Sequence, residues 1–193
     1  GSAGEANFTG FSEFIAKDAR EKILAFLNIG SIGLVACNRI SELSLGFRSV
    51  DIDRTLTKIS SYPDLIRGIK CRASHVITGD LGVYAVRVAK KVARIAGLPL
   101  IVHVGEPPPL FEEVLENLEE GDVVTHAFHG KPGGNLMEDS KSLDVTCQRF
   151  FINTKEKKIL FDFLNLKKDL NSNKKEFLNF SPSRWTNFIE EHH

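Results

Sequence analysis

Up to residue 140 the chain alternates apolar runs of strand length with amphipathic stretches of helical period, and this rhythm limits its fold more than any other feature. Lys22 to Ile29 (KILAFLNI) reads as a buried strand that ends in the loop Gly30–Gly33. Asp51 to Ser60 has Ile52, Leu56 and Ile59 on one helical face, with Pro63 just beyond its end. Leu65 to Ile69 is the next strand, with Lys70 at its C-terminal end. Val83 to Ala96 is the clearest helix, stopped by Gly97. Leu98 to Val104 is a strand containing His103, Leu110 to Leu118 a helix, and Asp122 to Phe128 a strand containing His126. Strands separated by single helices predict parallel βα units, an α/β fold with the helices outside the sheet.

At 193 residues the chain can bury a sizeable core, yet it is short for a complete (β/α)₈ barrel, which takes roughly 250. Its 25 basic and 25 acidic residues balance. That gives no net charge to recruit nucleic acid or an anionic membrane, and no apolar run is long enough to span one. No secretory signal is visible. The three cysteines, Cys37, Cys71 and Cys147, form no CxxC pair. We therefore expect a reduced, cytoplasmic protein; a homo-oligomer is compatible with the sequence.

The composition changes along the chain. All 15 glycines lie at or before Gly134, and residues 141–193 contain neither glycine nor alanine. Helix caps and turns of a βα fold need glycine. We expect 1–140 to form the barrel-like domain and 141–193 a divergent, mostly helical or irregular tail that does not complete it. Lys158 to Leu164 is a candidate further strand.

Lys70, His103 and His126 each fall near the C-terminal end of a predicted strand, 33 and 23 residues apart. Those separations are about one βα unit each. In a parallel barrel such ends meet on the rim that carries the active site. Neutral imidazole is a common ligand for Zn²⁺ and similar ions, and two imidazoles supply half of a tetrahedral set. Arg72 and His129 lie on the same presumed rim, as substrate contacts or as partners of a salt bridge and a loop hydrogen bond. Gly133-Gly134 shapes a rim loop, and Gly79-x-x-Gly82 is either a turn or an anion site at a helix start.

The runs GIKCRAS (68–74), GDLGVYAVRVAKKVARIAGLPLIVHVGEPPPLFEEVLENLEEGDVVTHAF (79–128) and HGKPGG (129–134) resemble the dihydroorotase-like amidohydrolases, and within them a deacetylase subgroup. The resemblance covers about residues 1–140. It implies a partial TIM (β/α) barrel of the metal-dependent hydrolase type. It also implies that Lys70 is carboxylated and bridges two divalent metals, zinc by ligand type, with His103 and His126 on the second. Chemistry supports that set. An ammonium, with a pKa of about 10.4, binds no cation, whereas a desolvated amine can add CO₂ and present two anionic oxygens on a long arm. A metal-activated hydroxide would then attack an amide or ester carbonyl.

The resemblance also implies groups that this sequence lacks. The family's first metal takes a His-x-His pair, which is absent, and the adjacent His192 and His193 do not replace it. The motif around the family's last catalytic aspartate is absent as well, and Asp162 falls where the family has its seventh strand. We therefore expect an incomplete barrel of five or six parallel strands, with Lys70, His103 and His126 converging within roughly 10 Å. Weak Zn²⁺ binding and negligible hydrolysis by this chain alone would follow. Two other readings stay open: a Schiff-base lyase using Lys70, and a non-catalytic fragment.

Overall fold

The computed structural model describes residues 3–34, 40–127, 129 and 131–136. Four strands, β1 (Ala25–Asn28), β2 (Ile66–Ala73), β3 (Leu100–Val104) and β4 (Val123–Thr125), form one sheet in sequential order, and every neighbouring pair is parallel. Helices connect them: α1 (Phe8–Phe11) precedes the sheet, and α2 (Ile52–Ser61), α3 (His75–Thr78), α4 (Tyr84–Ala96) and α5 (Phe111–Glu116) lie between strands.

Local chemistry sets the helix ends. Asp51 caps α2, its carboxylate accepting from the Arg54 amide at 2.9 Å. Gly97 closes α4 in the left-handed region at φ 65°, where an L side chain would be strained. Glu113 reaches back to the Leu110 amide at 2.8 Å to start α5.

The two faces of the sheet differ. Ile69, Cys71 and Ala73 on β2 and Leu100, Val102 and Val104 on β3 are at most 2% exposed. They pack under α4, which buries Ala85, Val86, Ala89, Val92 and Ala93 against those strands. The alanines keep the helix close, and each fully buried Val, Leu or Ile contributes about 1.5–3 kcal/mol. Burial also pushes the Cys71 thiol up to about 12, which keeps it protonated. The alternate positions, Lys70, Arg72, Ile101 and His103, are only half-buried and share the opposite, inner face.

At the N-terminal end of the sheet Asp122 joins three elements. Its carboxylate accepts from the Leu100 amide at 2.8 Å, the Glu119 amide at 2.8 Å and Lys90 Nζ at 2.5 Å.

Several sequence expectations shift. β2 does not end before Lys70. It runs three residues past it, because Ile69 to Ala73 pair with Leu100 to Val104, and Lys70 lies mid-strand. β4 is shorter than Asp122–Phe128 and stops at Thr125, so His126 lies outside it. β1 begins at Ala25, whose amide bonds to Leu65 O at 2.8 Å, while Leu24 is exposed. The helix expected over Leu110–Leu118 is trimmed to Phe111–Glu116, since the Asn117 side chain bonds the Glu113 carbonyl at 2.7 Å and leaves the last turn. Five or six strands were expected, and the described residues hold four. Lys158 to Leu164, Asp162, His192, His193, Cys37, Cys147 and the 141–193 tail lie outside the described residues. Among the described residues no helix is long and apolar enough to cross a membrane.

Candidate active site

Lys70 sits between Asn28 of β1 and Ile101 of β3 on the inner face. Burial lowers its ammonium pKa, and the Arg72 charge acts in the same direction against Cys71 and Glu42. His103 stands beside Arg72 in the register of β2 and β3. Its pKa falls to about 4, chiefly because it is buried and further because Lys70, His126 and Arg72 are positive around it. Its imidazole is therefore neutral at neutral pH, the form that donates a lone pair.

His126 follows β4 directly, and it is the non-glycine residue with positive φ, 67°, among the described ones. Such backbone costs about 1–3 kcal/mol and is found where a site demands a particular side-chain direction. Here the ring of His126 stands edge-on to that of His103, with centroids 4.8 Å apart and planes at 74°. Two imidazoles separated by a helix and a turn in sequence thus share one place on the inner rim.

Arg72 is held by a residue that sequence reasoning missed. Its Nε donates to Glu42 Oε1 at 2.7 Å and its Nη2 to Oε2 at 2.5 Å. The Glu42 side chain is 1% exposed, and Asn28 Nδ2 reaches Oε1 at 3.4 Å. Glu42 comes from the long loop after β1, 30 residues from its partner. Only the close packing of Gly30 marks the spot: a Cβ there would stand 2.9 Å from the Glu42 side chain.

His129 lies on the loop after β4. Its Nδ1 accepts the Lys131 amide at 3.1 Å, which places the ring proton on Nε2, and burial lowers its pKa. Nε2 is itself buried without a hydrogen-bond partner. The loop is pinned to the end of β3. Gly134 has no room for a Cβ, which would fall 1.9 Å from the Gly105 carbonyl oxygen, and Gly133 O accepts from the Phe111 amide at 3.0 Å. Lys131 pairs with Glu106. Gly133, at φ 73°, makes the turn that the sequence suggested. Gly79 and Gly82, at φ 48° and 49°, flank a short 3₁₀ turn, in line with the turn reading.

Among the described residues no three His, Cys, Asp or Glu side chains gather as a metal site. A metal fits here only with Lys70 as an additional ligand: two imidazoles give two donors, and an ammonium gives none. The burial that lowers the Lys70 pKa favours the neutral amine such a role requires.

No family model matches the chain. A deacetylase of Brucella anthropi is 58% identical over 139 residues, 72% of this chain and 34% of the relative. The crystal structure of a dihydroorotase superposes with a TM-score of 0.74 at 53% identity, over 78% of this chain and 40% of that one. The crystal structure of an adenine deaminase gives 0.71 at 29% identity, over 78% and 42%. The chain belongs to the amidohydrolase superfamily. It spans about a third of the length of the curated relative it matches. Its four parallel strands and outer helices form part of the superfamily's TIM barrel. The superfamily is metal-dependent, and the relatives found are named a deacetylase, a dihydroorotase and an adenine deaminase.

Proposed function

We propose that this chain carries part of the active site of a metal-dependent amidohydrolase that cleaves an amide or ester, as a deacetylase or a cyclic amidase. In this reading Lys70, as a carbamate, and His103 and His126 hold the metal, for which zinc suits the imidazole ligands. The substrate is a small molecule, and the setting is cytoplasmic. The observation that carries the reading is the 4.8 Å approach of the His103 and His126 rings on the face that also bears Lys70.

Each residue has a defined task. Burial lowers the pKa of Lys70, and its Nζ, once it has given up a proton, attacks the carbon of CO₂. A C–N bond forms as one C=O π bond of CO₂ opens and its electron pair moves to oxygen, the nitrogen loses one proton to solvent, and the side chain becomes an anion with two oxygen donors. His103, neutral down to about pH 4, gives a lone pair without competition from protons. His126 brings the second imidazole from the turn after β4. Held by these three residues, a divalent ion would supply Lewis acidity to lower the pKa of a water toward ~7 and to polarise the scissile carbonyl. Arg72 is anchored by Glu42, whereas His129 presents an Nε2–H donor and is the better candidate to contact an oxygen of the substrate.

The test combines metal analysis with ¹³C-bicarbonate NMR. The wild-type chain should bind Zn²⁺ and show a carbamate resonance that Lys70→Ala abolishes. His103→Ala and His126→Ala should each lower Zn²⁺ binding. Zn²⁺ binding indifferent to all three substitutions would refute the ligand assignment. Borohydride trapping of a carbonyl compound on Lys70 would favour a Schiff-base lyase instead.

A further inference from the structure

Arg54, Thr57, Lys58 and Ser61 recur at helical spacing along α2, so they share one of its sides. With Glu5 and Ala6 they line an open cavity of about 240 Å³. None of the six belongs to the site that holds Lys70, His103 and His126.

One wall of the cavity is a carboxylate. Glu5 is 5% exposed, and among the described residues its side chain makes no hydrogen bond and no ion pair, although two cations line the same cavity. Buried carboxylates are nearly always paired or hydrogen-bonded, and an exception calls for a reason. The backbone around Glu5 is pinned to the loop after β1. The Ala6 amide donates to Ser31 O at 3.0 Å, the Gly4 amide to Asn7 Oδ1 at 2.9 Å, and Asn7 Nδ2 to Ile32 O at 2.7 Å. A Cβ on Gly4 would lie 2.0 Å from the Gly30 carbonyl oxygen, so the segment has no room to shift.

The facing wall is cationic. Lys58 Nζ donates to Thr9 Oγ1 at 2.9 Å, which tethers the ammonium and leaves it two further N–H donors. Arg54 is exposed, and among the described residues its guanidinium has no partner. Thr57 and Ser61 give their hydroxyl protons to the Asp53 and Thr57 carbonyls at 2.8 and 2.9 Å, so they offer a ligand only lone pairs. An anion alone would meet the Glu5 charge, and a cation alone would meet those of Arg54 and Lys58. A molecule that carries both charges suits both walls.

We propose that this cavity binds a small zwitterion of the amino-acid class, with its ammonium on Glu5 and its carboxylate on Arg54 and Lys58. The inference is independent of the metal reading.

Amide ¹H–¹⁵N spectra of the 193-residue chain, titrated in turn with glycine, methylamine and acetate, locate the binding and rank it. Glycine should give saturable shifts in residues 5–9 and 54–61. Methylamine and acetate, which each forgo one charged contact, should bind at least ~10-fold more weakly. Glu5→Gln and Arg54→Gln should each weaken glycine binding at least ~10-fold. Arg54 is exposed, so its variant reports even if Glu5→Gln does not fold. Any of three results overturns the proposal: no saturable glycine shifts at these amides, acetate or methylamine binding as tightly as glycine, or glycine affinity unchanged by Arg54→Gln.

Discussion

Arg72 and Glu42 meet in a two-bond fork, Nε to Oε1 at 2.7 Å and Nη2 to Oε2 at 2.5 Å, that ties the loop after β1 to the inner face of β2. The carboxylate is almost wholly enclosed, with a side chain 1% exposed against 17% for Arg72. In such a pair much of the Coulomb attraction is spent on desolvation, so its net worth is small while the loss of one partner is severe.

Glu42→Ala should accordingly destabilise the protein by about 3 kcal/mol, since it leaves a largely buried guanidinium uncompensated. Adding Arg72→Met should recover most of that loss. Urea melts of the two single variants and the double variant measure the coupling. Equal and additive losses would show that the fork contributes nothing.

The glycines at the end of β3 allow a graded test. A Cβ at Gly134 would stand 1.9 Å from a backbone oxygen, that of Gly105, whereas a Cβ at Gly105 would stand 2.1 Å from a side-chain hydroxyl, Ser74 Oγ. A hydroxyl can rotate away and a backbone carbonyl cannot. Gly105→Ala should therefore cost about 1–3 kcal/mol and Gly134→Ala more. Gly121→Ala, in open space but at φ 92°, should cost only the backbone strain of about 1 kcal/mol. Thermal melts that reverse this order would contradict the packing described here.

The pH dependence follows from His103. Its pKa of about 4 in the fold lies below the ordinary 6.5, so the unfolded chain binds the proton more readily between those values. The contribution of His103 to stability is complete above about pH 6.5 and is lost as pH falls toward 4. Comparing urea melts at pH 7 and pH 4.5 should show a decrease that His103→Gln reduces. An NMR titration of the metal-free protein placing His103 near 6.5 would contradict this.

Asp122 should matter most for the edge of the sheet. Asp122→Ala removes acceptors from the Leu100 and Glu119 amides and one of the two carboxylates that pair with the buried Lys90, the other being Glu119 at 3.1 Å. A loss of about 1–3 kcal/mol for each buried amide left without its acceptor is expected, with β4 amides losing hydrogen-exchange protection first. Uniform loss of protection across all four strands would argue against so local a role.

Periodicity by itself established the order of strands and helices, the parallel sheet, and the face of α4 that packs, because these depend on which residues repeat and on glycines such as Gly97. The resemblance carried by the runs around Lys70, His103 and His126 also brought forward the three candidate ligands before any coordinates. Tertiary structure decided the rest. Lys70 is mid-strand because β3 continues the pairing past it, and strand length is settled by the partner strand rather than by the apolar run alone. His126 turns toward His103 through a left-handed backbone that no side-chain pattern announces. Glu42 acquires its part only through contact: a carboxylate in a loop looks ordinary in sequence until the fold removes water from around it and sets it against Arg72 and Asn28.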